Sequence, residues 1–462
     1  MEVNVIELLQ IIERQAKEIE QLKTRIKELE DLLSKGNKNS KNSSIPPSKN
    51  NFGERYRNEK KKEEKKVSEE KKKPKRNNLE ISENPTEKVY HSPEVCEHCG
   101  KSLLEEPESK INEKYRQELE LKILKIIKNH HIVEKSCPYC NHKTEGKYPE
   151  EIKSTVQYGT TVKTLSSYLS NRQMIPLNRV EKTFKELFEL NVSQGTIIRF
   201  NDELARKSEL EIKRIKDKIQ KSSKIFADES GIYVKNKRMW VYVHSTELLS
   251  YFACQENRSF EALEKIGILK DYKGSLITDF YAIYRKYKEI RNFFCNAHLL
   301  RELTFVSDIE KRSWSKKMIE ILLKLKKIKE EKPLYYKIER YYLNKRYDSI
   351  IKNGLKEELS FKNSDEKKSQ SQKLLERLTK YKDGYLGFAY YDNIPFTNNQ
   401  AERDIRPIKV QQKISGTFRT QKGADNYLGI MSIISTLNKQ KMPVLESLRK
   451  IFDNQTLIFN SI

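Results

Sequence analysis

The sequence is poor in cysteine, in long apolar runs and in acidic charge, and each shortage excludes something. Six cysteines in 462 residues are too few for a disulfide scaffold. No window approaches about 18 consecutive apolar residues, which argues against a membrane-spanning helix. The N-terminal MEVNVIELLQIIERQ carries acids early and lacks a basic region followed by an apolar core, so it does not read as a signal peptide. The expectation is a cytoplasmic, nucleoid-associated protein with no membrane partner. Acids number 66 against 91 Lys and Arg, a net charge of +25. Such a balance points to a polyanionic partner such as nucleic acid or an anionic membrane surface, although a lysine-rich surface that is merely solvated gives the same total. Hydrophobic residues are only 36%, yet 24 Tyr and 17 Phe can still build cores, so a fully disordered chain is excluded. The length suggests two to four structural units.

The few cysteines are not scattered. Four form two CxxC pairs, Cys96 with Cys99 and Cys137 with Cys140, while Cys254 and Cys295 stand alone. Each CxxC turn can aim two sulfurs at one point, and four thiolates suit a closed, structural Zn²⁺ site. His98, His130, His131 and His142 lie close enough in sequence to replace a thiolate.

Along the chain, residues 1–35 show heptad spacing. Val5, Ile12, Ile19, Ile26 and Leu33 recur with Leu8, Leu22 and Leu29, and Gln15 breaks the seam. The pattern predicts a coiled coil and hence a homo-oligomer; a single amphipathic helix packed on its own protein is the alternative. Residues 36–87, with NSKNSSIPPS and KKKEEKKVSEEKKKPKR, read as a disordered basic linker. Residues 88–150 form the expected zinc-binding domain. Residues 151–220 read as helical and resemble a helix-turn-helix, with Ser193 capping a second helix; a helical domain without DNA contact is equally compatible.

From Lys221 the pattern becomes β-rich. SKIFADES, RMWVYVHS and LLSYFACQ are short strands, followed by helix SFEALEKIGIL, strand SLITD, helix FYAIYRKYKEI and strand RNFFCNAH. The order βββαβαβ is the skeleton of a ribonuclease-H-like core, assigned to 221–299 and 392–425. A helical insertion (300–391) and C-terminal helices (426–462) complete an α/β multidomain chain. Asp228 is expected at the end of the first strand and Asp279 at the end of the fourth, on neighbouring strands. Glu402 follows on a helix with Arg403, Arg406, Lys409 and Lys413, and Pro407 should kink or end that helix. Singly each acid has an ordinary explanation: Asp279 as an N-cap, Asp228 as a turn residue, Glu402 in a capping box. In this order they suit two Mg²⁺ (or Mn²⁺) ions about 3.5–4 Å apart in phosphoryl transfer.

Over nearly its whole length the chain resembles the insertion sequence 66 family of bacterial DDE transposases. The likeness rests on the leading coiled coil, NSKNSSIPPS, the double CxxC, YGTTVKTLSSYLSNRQMIPLNRV (158–180), ADES, ITDFYAIY, CNAHLLRE (295–302) and NNQAERDIRPIKVQQKISGTFRTQKGA (398–424). The family often continues past its final helix, whereas this sequence stops soon after SLRKIF. The resemblance implies that Asp228, Asp279 and Glu402 are the catalytic, magnesium-binding triad, with His298 and Arg301 as neighbours. Arg403, Arg406, Lys409, Lys413 and Arg419 are the expected DNA contacts. The implied reaction is cleavage at the element's terminal inverted repeats and joining of the 3′-hydroxyl ends to target DNA, with accessory proteins of the same element as further partners. A nuclease without strand transfer, or an inactive zinc-containing DNA-binding protein, are the alternatives.

Overall fold

In the computed structural model, the described residues are 13–22, 25, 81–105, 116–121, 123–332, 334–360 and 368–460. The chain divides into two units, Phe52–Asn129 and Met1–Asn51 with His130–Ile462. Most of the expected coiled coil and nearly all of the expected linker lie outside the described residues. Residues 13–22 are helical, and the seam residues Ile19 and Leu22 are exposed there. Among the described residues no helix is long and apolar enough to cross a membrane.

In the smaller unit, Val95 bridges Ser102 around the first CxxC turn. The Cys96 N–H donates to the Lys101 carbonyl at 2.8 Å, and the Gly100 N–H to the Cys96 carbonyl at 2.9 Å. Gly100 is left-handed (φ 70°), a conformation that glycine adopts without Cβ strain. The larger unit holds the second CxxC turn between strands β1 (Glu134–Ser136) and β2 (Lys143–Glu145), which pair antiparallel. Its backbone repeats the first: Cys137 N–H to His142 O at 2.9 Å, Asn141 N–H to Cys137 O at 2.9 Å, and Asn141 left-handed at φ 58°. The dividing line between the units, at 129/130, runs through the segment 88–150 that sequence spacing treats as one domain.

Helices α1 (Thr160–Ser167, extended by a π-turn over Tyr168–Arg172), α2 (Leu177–Phe188) and α3 (Gln194–Lys207) enclose a small core of Val180, Phe184, Val192, Ile197 and Phe200. Ser193 caps α3 as expected, its hydroxyl accepting the Thr196 N–H. Helix α4 (Glu209–Gln220) leads into the main sheet.

That sheet comprises β3 (Lys224–Val234), β4 (Lys237–Ser245), β5 (Ser250–Gln255), β6 (Ser275–Thr278) and β7 (Arg291–Phe294), in the order β5-β4-β3-β6-β7. The first three strands form an antiparallel meander, and β6 and β7 join β3 in parallel. Lys235 and Asn236, at φ 48° and 62°, make the two-residue β3–β4 turn whose twist suits a hairpin. This long hairpin corrects the expected position of Asp228. It stands inside an eleven-residue strand, not at its end, and it is the parallel partner β6 that stops nearby.

Helix α5 (Phe260–Ile266) connects β5 to β6, with the Ser259 hydroxyl accepting the Ala262 N–H at its start. The helix expected over FYAIYRKYKEI is not formed. A turn and a short 3₁₀ segment (Tyr284–Lys286) replace it, because Tyr284 is drawn into the core and bonds Glu229 there. After β7 come α6 (Asn296–Asp308), α7 (Ser313–Glu331), α8 (Tyr336–Leu359), α9 (Gln370–Lys380), α10 (Lys382–Tyr390), α11 (Asn399–Ser415), α12 (Gln421–Lys439) and α13 (Val444–Phe452). Helix α10 packs on β7 so closely that a Cβ at Gly387 would fall 2.1 Å from the Phe293 ring. Helix α11 packs on β3 and β4, and α12 on β5. The result is a mixed α/β body with one large core.

Candidate active site

Register places the first two acids. Phe226 pairs with Ile277 across β3 and β6, so two residues on Asp228 and Asp279 stand at the same level. Adjacent strands lie about 4.8 Å apart, within reach for two carboxylates to share a cation. The Oδ1 of Asp228 accepts the Glu229 N–H, and the Oδ1 of Asp279 accepts the Tyr281 N–H, both at 2.9 Å. Each acid is thereby fixed at one oxygen.

Glu402 comes from α11, which is tied to the sheet acids by a short relay. The Asn398 amide donates to the Ala227 carbonyl at 2.8 Å, one residue before Asp228. The Asn398 backbone N–H donates to the Cys295 Sγ at 3.2 Å, and Cys295 precedes α6, the helix bearing His298. Cys295, His298 and Glu402 bring potential ligand atoms within 4.8 Å of one another, with His298 Nδ1 3.6 Å from Glu402 Oε1. Both of those atoms are buried and lack a hydrogen-bond partner. Sequence reading left Cys295 aside as a lone thiol. Its CxxH spacing to His298 was the available signal.

Helix α11 continues through Pro407 and does not end there. Proline here removes only the bond to the Arg403 carbonyl, beside an exposed side chain, while Ala401, Ile405 and Ile408 stay buried on the inner face. Glu402, Arg406, Lys409 and Lys413 therefore do share one helical face. Arg403, Arg406, Lys409, Lys413 and Arg419 are all exposed. Lys409 also donates to the Gly231 carbonyl at 3.1 Å, and Arg403 to Gln400 at 3.0 Å. Two residues after Glu402, Asp404 makes a buried ion pair with Lys439 at 2.6 Å. Lys439 also donates to the Thr246 and Leu249 carbonyls.

The three acids feel one another's charge, although among the described residues the trio with ligand atoms within 4.8 Å of one another is Cys295, His298 and Glu402. Burial pushes the Asp228 carboxyl well above its usual range, and the charges of Glu229, Asp279 and Glu402 add to the push. Asp279 is raised by burial, against the Tyr281 N–H and Arg258. Glu402 is raised by burial and by Asp279, against Arg301 and Arg406. Burial, with help from Arg301, lowers His298 to about 4, so it is neutral at neutral pH. The Arg301 charge thus acts on both His298 and Glu402.

One acid at the site carries no sequence signal. Glu229 follows Asp228 and is buried, but its two oxygens are engaged. Oε1 takes the Arg258 guanidinium, with Nε at 2.9 Å, and Oε2 takes the Tyr284 hydroxyl at 2.5 Å. Arg258 lies 3.5 Å over the Tyr281 ring, next to the Asp279 turn. Glu229 is a structural acid, and Asp228, on the opposite pleat of the same strand, is the available one. The insertion builds the other wall: Phe280 lies between the guanidinium groups of Arg285, at 4.1 Å, and Arg377 of α9, at 4.5 Å.

Glu402 Oε1 and the Nδ1 of neutral His298 are orphaned atoms that could take a cation, and the carboxylates of Asp228, Asp279 and Glu402 suit a hard divalent ion. The sequence matches the model of a family of unknown function, DUF6444, over residues 2–80. No curated protein matches it. Residues 155–426, which span the three-helix unit, the sheet, the insertion and the α11 helix with Glu402, match the transposase IS66 family. That match covers more than half of the chain, and the protein belongs to the IS66 transposase family.

Proposed function

We propose that this transposase is a DDE enzyme with a ribonuclease-H-like core, which cleaves DNA at the ends of its element and joins the freed 3′-hydroxyl to target DNA. The observation that carries the reading is the common level of Asp228 and Asp279 on paired strands, with the helix of Glu402 bonded to the same strand through Asn398. The sheet order β5-β4-β3-β6-β7, with the meander antiparallel and the last two strands parallel, supports the core assignment.

Asp228, Asp279 and Glu402 would hold Mg²⁺ or Mn²⁺, which supplies activation of the attacking oxygen and neutralisation of charge on the phosphate. The chain's own groups do the rest. Arg406, Lys409 and Lys413, on the face that bears Glu402, hold phosphates against a pocket that would otherwise repel them. Neutral His298 can bond to an oxygen of the reacting phosphodiester without adding to the cationic charge. The relay from Ala227 through Asn398 to Cys295 fixes the helix acid against the sheet acids.

The two CxxC turns support a structural zinc role. Backbone N–H groups of Cys99 and His98 lower the Cys96 thiol, and those of Tyr139 and Cys140 lower Cys137. Both turns are thus built to favour thiolates, the form that binds metal. Helices α2 and α3 are the proposed readers of the terminal repeats, and the N-terminal heptads the proposed means of pairing two protomers.

A strand-cleavage assay on duplex carrying the element end, with Mg²⁺, tests the proposal. Asp279→Asn should lose at least about a thousandfold in rate, about 4 kcal/mol, while still binding the duplex. Undiminished Mg²⁺-dependent cleavage by that variant would sink the triad assignment. Supplying ends with the 3′-hydroxyl already free separates a transposase, which joins them to a second duplex, from a simple nuclease, which does not.

A further inference from the structure

The proposed active site leaves one exposed feature of the insertion unexplained. A groove of about 500 Å³ runs between α7 and α8, lined by Lys324, Tyr335, Ile338, Tyr342, Leu343 and Arg346. Tyrosines on α8 fall into two groups. Tyr336 and Tyr347 are tied inward, their hydroxyls donating to the Ala389 carbonyl at 2.6 Å and the Leu378 carbonyl at 3.1 Å. Tyr335, Tyr341 and Tyr342 instead stand 61%, 58% and 66% exposed, beside Ile338 at 62%. Three exposed aromatic rings within eight residues are costly for a free surface, since each leaves a large apolar area in water.

Cations outnumber acids around these rings. Lys337, Lys345 and Arg346 are exposed on α8, and Lys345 lies 5.6 Å over the Tyr341 ring. The one acid of the groove, Glu339, is answered by Lys324 at 2.9 Å. Spacing places Ile338, Tyr341, Tyr342, Lys345 and Arg346 on one face, rings toward the N-terminal half and cations toward the C-terminal half. Rings that stack on bases, set beside cations that follow a phosphate chain, are the elements of a surface for unpaired nucleic acid. A duplex, whose bases are already stacked, offers no faces to such rings.

We propose that the α7–α8 groove, with the exposed α8 face beside it, binds a short unpaired stretch of DNA, with Tyr342 of the groove and the neighbouring Tyr341 stacking on bases and Arg346 and the neighbouring Lys345 contacting phosphates. This rests on the reading of the chain as a DNA-cleaving transposase, in which frayed or cut ends expose single strands, but it is tested without cleavage.

The experiment measures fluorescence anisotropy of a labelled oligodeoxythymidine, and of a duplex of equal length, with the full-length protein. Tyr341→Ala/Tyr342→Ala should weaken single-strand binding at least about tenfold and leave duplex binding within about twofold. Tyr341→Phe/Tyr342→Phe, which keeps the rings, should bind as the unmodified chain does. Lys345→Ala/Arg346→Ala should flatten the salt dependence of single-strand binding. Unchanged single-strand affinity in the double alanine variant overturns the proposal, as does an equal loss for single strand and duplex. A change in sedimentation in place of an affinity change also overturns it, by assigning the groove to contact between copies. Asp279→Asn should bind the oligodeoxythymidine normally, so failure of the cleavage chemistry and failure of the groove give different results.

Discussion

Asp228 and Asp279 are held by strand register, whereas the helix of Glu402 is held by bonds from Asn398 and Asp404 to four other parts of the fold. The sheet acids need only the parallel pairing of β3 with β6, a dense ladder of backbone bonds inside the main core. The helix acid depends on Asn398 bonding Ala227, on Cys295 bonding Asn398, and on Asp404 bonding Lys439 and Ser250. Damage to the sheet acids therefore has to be local. Damage to the third acid can come from residues far from it in sequence.

The largest way to break this contrast is at the buried pair. Asp404→Ala strands the Lys439 ammonium in the core, where burial already disfavours its charge. The expected loss is about 3–5 kcal/mol in urea unfolding, with much of it restored by Asp404→Leu/Lys439→Met. A loss under about 1 kcal/mol would mean that α11 is held by packing alone.

A smaller effect tests the sheet side. His244 of β4 pairs with Ala227 beside Asp228, is fully buried, and both its ring nitrogens lack a partner. Burial, reinforced by Lys216, lowers it to about 3. Its folded value lies below the ordinary 6.5, so the unfolded chain gains the proton first. Stability is therefore full above about pH 6.5 and falls as pH drops toward 3. The carboxylates raised in the active site act in the opposite sense, losing their contribution as pH rises through their elevated values. Comparison with His244→Leu isolates the histidine: between pH 7.5 and 5 the unmodified chain should lose about 2 kcal/mol more than the variant. Parallel curves would contradict the depressed value.

The smallest effect concerns the wall that the insertion gives to the Asp279 turn. Phe280→Leu removes a ring held by two guanidinium groups, worth about 1–2 kcal/mol together. The Mg²⁺ concentration for half-maximal cleavage should rise severalfold, with a thermal shift of a few degrees. A shift in stability with no change in the metal requirement would show that the wall does not position Asp279.

These differences also explain what the sequence revealed. Strand alternation, a βαβ order and a long motif singled out Asp228, Asp279 and Glu402 as candidate acids, and the first two do stand at one level on paired strands. That β3 and β6 are neighbours followed from the order of strands and helices. Glu229, Arg258 and Tyr284 were not legible, since their partners lie 29 and 55 residues apart and no local pattern announces a buried ion pair. FYAIYRKYKEI has helical spacing, but Tyr284 bonding Glu229 overrides that propensity. Pro407 does not end its helix for a related reason: one lost hydrogen bond is outweighed by the buried face of Ala401, Ile405 and Ile408.

The central claim is that a helix acid completes a site begun by two sheet acids. Mg²⁺-dependent cleavage of an element-end duplex by Glu402→Gln tests it most directly. The account predicts a folded protein that binds the duplex normally and cleaves it at least about a thousandfold more slowly. Cleavage at the unmodified rate would contradict it.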